Sequence, residues 1–207
     1  KDYYSPYPPY GHGYLKELQF PPLYVAIELG LNNIVNKLLE NTRTNLNISD
    51  KCGRSILMIA IAKRQTYIID KVIEYVSTLE INSQKKIINK KNDKKDSVLY
   101  LLVDFKYNTH YIQRLLDFKD EKNNLLLDIN ISNMSFNTPL HRAVDTENNE
   151  VTKLLIEHGA QLNLLNQRDF APLHIAVLRN NYNIVQLLID KGADINFQKF
   201  KKIFGIT

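Results

Sequence analysis

The chain has 207 residues, with 27 Lys and Arg against 22 Asp and Glu, a formal charge of +5 and a pI near 9.1. No apolar run approaches the roughly 20 residues that a membrane-spanning helix needs, and no signal-peptide pattern opens the chain. The single cysteine, Cys52, excludes an internal disulfide framework and fits a reducing, cytoplasmic setting. The mildly basic balance suits an acidic partner surface and simple solubility equally well.

The segment from Lys1 to Tyr14 carries five tyrosines, three prolines and two glycines without a helical period. Read alone it is a polyproline-like tail; the expectation is that its tyrosines cap the unit that follows. From about residue 15 onward, short apolar runs come in pairs. The first member of each pair is Pro21-Pro-Leu-Tyr-Val-Ala-Ile27, Ser55-Ile-Leu-Met-Ile-Ala-Ile61, Ser97-Val-Leu-Tyr-Leu-Leu-Val103, Thr138-Pro-Leu-His-Arg-Ala-Val144 and Ala171-Pro-Leu-His-Ile-Ala-Val177. The second members follow in Ile34–Leu39, Ile68–Ile73, Tyr111–Leu116, Val151–Ile156 and the run ending at Leu188.

The fourth pair shows why these residue types fold this way. Thr138 can cap a helix through its hydroxyl, and Pro139 stands at the first helical position, where a missing N–H costs nothing. Leu140, Ala143 and Val144 share one face at helical spacing. A second amphipathic run then ends at Gly159, suited to the left-handed residue beyond a helix end. Helices this short are not stable alone, so each apolar stripe must be buried on a neighbouring copy.

The two best copies place His141 and His174 33 residues apart and stay in step through Gly159-Ala160 and Gly192-Ala193 to Asn163 and Asn196. That period, with the T-P-L-H-x-A core, resembles the ankyrin repeat. A second marker agrees: Asn47, Asn89, Asn130 and Asn163 each precede a core's first residue by eight. The resemblance implies an all-α ankyrin-repeat solenoid with hairpin fingers over residues 15–207, after a Tyr/Pro-rich extension or cap at 1–14. Its five repeats are expected at about 15–47, 48–89, 90–130, 131–163 and 164–196, with a partial repeat or cap at 197–207. The middle is irregular: cores two and three are 42 residues apart, and cores three and four 41. The surplus after the second repeat's helices, Ser77–Ile88, reads as an added or prolonged helix; that of repeat three lies around 118–127. The family's turn glycine remains as Gly53, with Lys95, Phe136 and Asp169 in its place elsewhere.

The resemblance further implies a non-enzymatic scaffold, needing no cofactor, that meets a protein partner at the fingertips and at the exposed ends of the first helices. By position the tips include Lys51, Cys52 and Arg54, and the helix ends include Asp104 and Asp145. Large apolar groups at such places, Phe105, Met134, Phe136, Phe170 and Leu178, with Arg168 and Arg179 nearby, have the composition of a binding hot spot. The competing reading is that they fill gaps left by missing glycines. Lys85, Lys86, Lys90, Lys91, Lys94 and Lys95 form a basic run, but Asp93 and Asp96 beside it and the lack of interleaved aromatics favour a solvated finger over a nucleic-acid site. His141 and His174 lack a zinc-ligand spacing motif and are expected to bond within their own helices. Asn196 lies in a stretch similar to the ankyrin pattern that asparaginyl hydroxylases modify, although a turn-holding Asn is the plainer account.

Heavy use of Lys, Asn and Ile without Trp suggests an AT-rich genome, and with it a pathogen effector or host-range factor acting on a host protein, in the cytoplasm of that host. The ending Phe204-Gly-Ile-Thr207 looks like the start of another core, so a longer protein is expected. A rival reading makes the chain the recognition arm of a larger enzyme, and another an array that self-associates near Phe204.

Overall fold

The computed structural model describes residues 20–41, 44–104 and 109–196. The expected caps at 1–14 and 197–207 lie outside the described residues, as does Phe105. Helices form five pairs: α1 (Pro22–Glu28) with α2 (Asn32–Leu39), α3 (Ile56–Ala62) with α4 (Thr66–Ser77), α6 (Val98–Val103) with α7 (Thr109–Leu116), α8 (Pro139–Asp145) with α9 (Asn149–Glu157), and α10 (Pro172–Leu178) with α11 (Tyr182–Asp190). One further helix, α5 (Ile81–Ile88), follows α4 and packs on it. Among the described residues the only β pairing is isolated bridges, at Ser49–Ser55, Lys91–Ser97 and Lys119–Leu125.

The starts follow from the cores. The hydroxyls of Ser55, Ser97 and Thr138 accept from the amides of Met58, Tyr100 and His141, and prolines open α1, α8 and α10. Six helix ends close in one way. The residue just past the cap has a positive φ, its amide bonds back three residues, and the next amide bonds back five, as in Gly30→Ile27 and Leu31→Ala26. Gly30, Gly159 and Gly192 supply three of these left-handed positions; Arg64, Glu147 and Asn180 supply the others.

The first helices stack in one row, α1 on α3, α3 on α6, α6 on α8 and α8 on α10. The second helices form an outer row, α2 on α4, α7 on α9 and α9 on α11. Between the rows one apolar core runs unbroken from Leu23 to Ala193. In α3 every residue from Ile56 to Ile61 is buried, as a helix held on three sides must be.

Candidate functional site: fingertips and concave groove

Each finger, numbered by the repeat whose first helix it precedes (second at 50–54, third at 92–96, fourth at 133–137, fifth at 166–170), is a five-residue turn tied by one side chain. Asp50 Oδ1 accepts from the amides of Cys52 and Arg54 (2.9 and 2.8 Å). Asn133 does the same for Ser135 and Asn137 (3.0 and 3.1 Å), and Asn166 for Arg168 and Phe170 (2.9 and 3.1 Å). Asn92 accepts from Asp96 (2.9 Å). The fourth residue of each turn is left-handed: Gly53 (φ 70°), Lys95 (59°), Phe136 (56°) and Asp169 (58°). Glycine is the natural occupant of that conformation, which costs other residues about 1–2 kcal/mol. Neighbouring tips then bond through the backbone, the amides of Asp93, Met134 and Gln167 donating to the carbonyls of Cys52, Lys94 and Ser135 (3.0, 3.0 and 2.9 Å).

The extra residues of repeat three form the same turn a fifth time. Asp120 Oδ1 accepts from the amides of Lys122 and Asn124 (2.9 and 2.8 Å), and Asn123 is left-handed at φ 64°. No helix pair follows this hairpin. Leu126 and Leu127 anchor it in the core, and the Asn89 side chain, at the end of α5, donates to Leu126 O and accepts from the Asp128 amide (2.7 Å each). The insertions of repeats two and three therefore meet.

His141 joins the fourth first helix to the fifth finger. Its Nδ1 accepts the Thr138 amide (3.1 Å), which leaves the proton on Nε2, and Nε2–H donates to Phe170 O (3.0 Å). Burial pushes its pKa below the ordinary value, so the ring is neutral. The intrahelical bond matches the sequence expectation; the bond to the next finger does not appear in it. His174 repeats the first bond, accepting from the Ala171 amide (3.0 Å), but Ala171 lacks the capping hydroxyl.

Between these fingers and the first helices lies a groove of roughly 510 Å³, floored by Tyr100, His141 and Ile175 and edged by Ser135, Arg168 and Leu178. Burial pushes the Tyr100 phenol up to about 12, so it remains a neutral hydroxyl. An ion-pair ladder crosses the groove: Asp104 with Arg142, Arg142 with Asp145 (3.5 Å), and Asp145 with Arg179 (2.6 Å). Lys63 and Glu28 pair at the matching register of the first two repeats (3.1 Å). These pairs are partly solvated and contribute little stability each, but they fix which way the charged groups point.

The structure divides the candidate residues. Met134 and Phe136 stand 60 % and 58 % exposed on the tip of the fourth finger, and Leu178 is 68 % exposed. Arg168 is exposed on the groove edge. Phe170 is half-buried against the core, and Arg179 is held by Asp145. Arg54, assigned to a solvated tip, is instead buried and ion-paired with Asp50 (2.5 Å). The basic run is taken apart. Lys90 turns back to the carbonyls of Asn47 and Ile48 (3.1 and 3.3 Å), burial and Lys86 lowering its pKa, while Lys91 reaches forward to Ser132 O (3.0 Å). Lys85 and Lys86 are exposed on α5, and Lys94 and Lys95 on the third fingertip. Asn196 is exposed, and its amide donates to Asp194 Oδ1 (2.9 Å). Sequence reading missed Tyr100, Arg142 and Asn166 in the groove, whereas Asn137 stands among its fingertip positions; the shared register of Asp104 and Asp145, with Arg179 one position further along its repeat, is the signal that leads to the ladder.

The stacked helix pairs and their fingers define a repeat scaffold. A family model of ankyrin repeats matches three copies over residues 72–199, more than half of the chain; the chain belongs to the ankyrin repeat family. No curated protein matches the chain. Ankyrin repeats generally mediate protein–protein interaction, and the fold is typically a non-catalytic module.

Proposed function

We propose that this chain is a non-enzymatic docking scaffold that takes a protein partner across its concave groove and fingertips. The observation that carries the reading is the groove itself. Its walls offer amide and hydroxyl groups from Ser135, Asn137, Asn166 and Gln167, its charges are already oriented by the ladder, and Arg168 and Leu178 are presented at its edge. This mixture of oriented polar groups and a few exposed apolar ones is what a protein-binding patch requires. The bias toward Lys, Asn and Ile supports a host protein, met in a host cytoplasm, as that partner. The test is capture from a host-type lysate by the parent chain and by an Arg168→Glu, Leu178→Ser variant of equal thermal stability. A protein held by the parent and lost by the variant supports the reading; the same retained set on both baits overturns the groove as the site.

A further inference from the structure

We propose that this chain binds a second copy of itself head to tail, the fifth repeat of one molecule stacking on the first repeat of the next. Its two ends carry the two halves of the joint that already links α1 to α3, α3 to α6, α6 to α8 and α8 to α10. Leu140, Val144, Thr152 and Ile156 of repeat four, and their counterparts in repeats one to three, are buried. In repeat five, which no described helix pair follows, the same positions open. Val177 is 61 % and Ile189 41 % exposed, and Leu173 and Val185 are half-buried. These are therefore the positions that a following repeat covers. The opposite face opens on repeat one. Ile34 is 49 % exposed, whereas its counterparts Ile68, Tyr111, Val151 and Ile184 are buried, and Leu38 is half-buried where Leu155 and Leu188 are buried. The end units of a repeat array ordinarily carry a polar outer face; both of these keep the apolar residues of an interior unit.

The polar atoms match across the same two faces, and they select a copy of this chain as the occupant. Between repeats four and five, His141 Nε2–H donates to Phe170 O (3.0 Å) and Asn163 Oδ1 accepts from the Asp194 amide (3.0 Å). Repeat five holds the same outgoing pair. His174 Nδ1 accepts from the Ala171 amide, which leaves its proton on Nε2, and Asn196 stands one period beyond Asn163. Neither His174 Nε2–H nor Asn196 Oδ1 meets a partner among the described residues. Repeat one holds the receiving pair, Phe20 O at the register of Phe170 O and the Asn45 amide at the register of the Asp194 amide, likewise without a partner among the described residues. A second copy placed by the repeat's own step brings His174 to Phe20 O and Asn196 to the Asn45 amide, and it buries the two apolar faces against each other. The joint is heterologous, so it propagates into an open row, along which the concave groove of one copy continues into that of the next.

The test is sedimentation velocity of the parent chain from micromolar to millimolar concentration, where the mean mass should rise past that of a dimer. Val177→Glu with Ile189→Glu blocks one end, and Ile34→Glu blocks the other. Each variant alone should associate roughly tenfold or more weakly than the parent. Mixed in equal amounts, the two should form a dimer and nothing larger, since each supplies the face that the other lacks; that recovery also shows both to be folded. A parent that stays monomeric throughout overturns the proposal, and the segments 1–19 and 197–207 become the candidates for its faces. Association abolished at one end's substitutions and untouched by the other's overturns it as well, in favour of a symmetric pairing of like faces.

Discussion

Residues 48–130 and residues 131–196 build the same helix pairs but join them with different atoms. In the regular part the joints are short and repeated: Asn130 Oδ1 accepts from the Gln161 amide (2.8 Å), Asn163 Oδ1 from the Asp194 amide (3.0 Å), and His141 reaches Phe170 O. In the middle, Asn47 is met instead by the Lys90 ammonium, from the segment just past α5 (3.1 Å to Asn47 O). The outer row is spanned there by long polar side chains, Arg114 to Asp70 (2.5 Å) and the Tyr111 hydroxyl to Asp70 and Thr66 (3.4 Å each). A strict 33-residue period lets a short amide side chain find the next repeat; around the insertions long side chains span the gap as well, although Asn89 still meets the Asp128 amide across the longer third repeat.

The largest effect should come from the core of the regular part. Leu140 is 1 % exposed, whereas Leu173, at the same register one repeat on, is half-buried because α10 is covered on one side only among the described residues. Leu140→Ala should lower stability by about 2–5 kcal/mol in urea unfolding, and Leu173→Ala by about 1 kcal/mol. Equal losses would mean that the fifth pair is packed as fully as the fourth. Removing the joint itself comes next: His141→Ala strands the Thr138 amide and Phe170 carbonyl and should cost about 2–3 kcal/mol. Because the folded His141 pKa lies below its unfolded value of 6.5, the unfolded chain takes up the proton first. The associated stability is complete above pH 6.5 and is lost as pH falls below it toward the folded value. His141→Gln should flatten that decline, measured by melting across the range.

Finger glycines separate conformation from space. A Cβ on Gly53 would lie 2.5 Å from Asp93 Oδ1 and 3.0 Å from the Asp93 amide nitrogen, and φ is 70°. Gly53→Ala should therefore destabilise by about 1–3 kcal/mol. Phe136→Gly, at the equivalent position, should stabilise by about 0.5–1 kcal/mol after the larger chain entropy of glycine is deducted. Two melting curves of the same sign would refute the equivalence of these turns.

The parts legible in the sequence were those set by local chemistry. The pairs, their caps at Ser55, Ser97 and Thr138, and an added helix after α4 all follow from residue type and spacing. The family name came from the T-P-L-H cores. What stayed hidden depends on atoms that meet only after stacking. The Asn spacing at 89, 130 and 163 was visible, but that these side chains cross to the next repeat was not. Arg54 reads as a tip residue until Asp50 closes on it, and the lysine run reads as one patch until Lys90 and Lys91 turn opposite ways. The hairpin at 118–127 was hidden for another reason: its Asp-x-x-Asn-Asn turn precedes no helical core, and the core is what a search for repeats follows.

That hairpin gives the smallest and most local test of the comparison. Asp120 holds three groups, the amides of Lys122 and Asn124 and the Asn124 side chain (2.9 Å). The Asn124 side chain, with the turn amides, holds the carboxyl below its usual range. Asn133 makes the equivalent turn bonds in the fourth finger but also reaches Asp96 in the third (3.2 Å). Asp120→Ala should therefore speed hydrogen exchange at Lys122 and Asn124 and leave the melting temperature where it was. Asn133→Ala should speed exchange at Ser135 and Asn137 and lower the melting temperature as well, because it releases a neighbour. Equal falls in melting temperature would show that the extra finger is part of the cooperative stack, its Asn89 contacts tying it to the core as firmly as a helix pair ties the others. With the turn bonds made by an ionised carboxylate, protection at Lys122 and Asn124 should persist as pH falls through the ordinary Asp value and fail only below it.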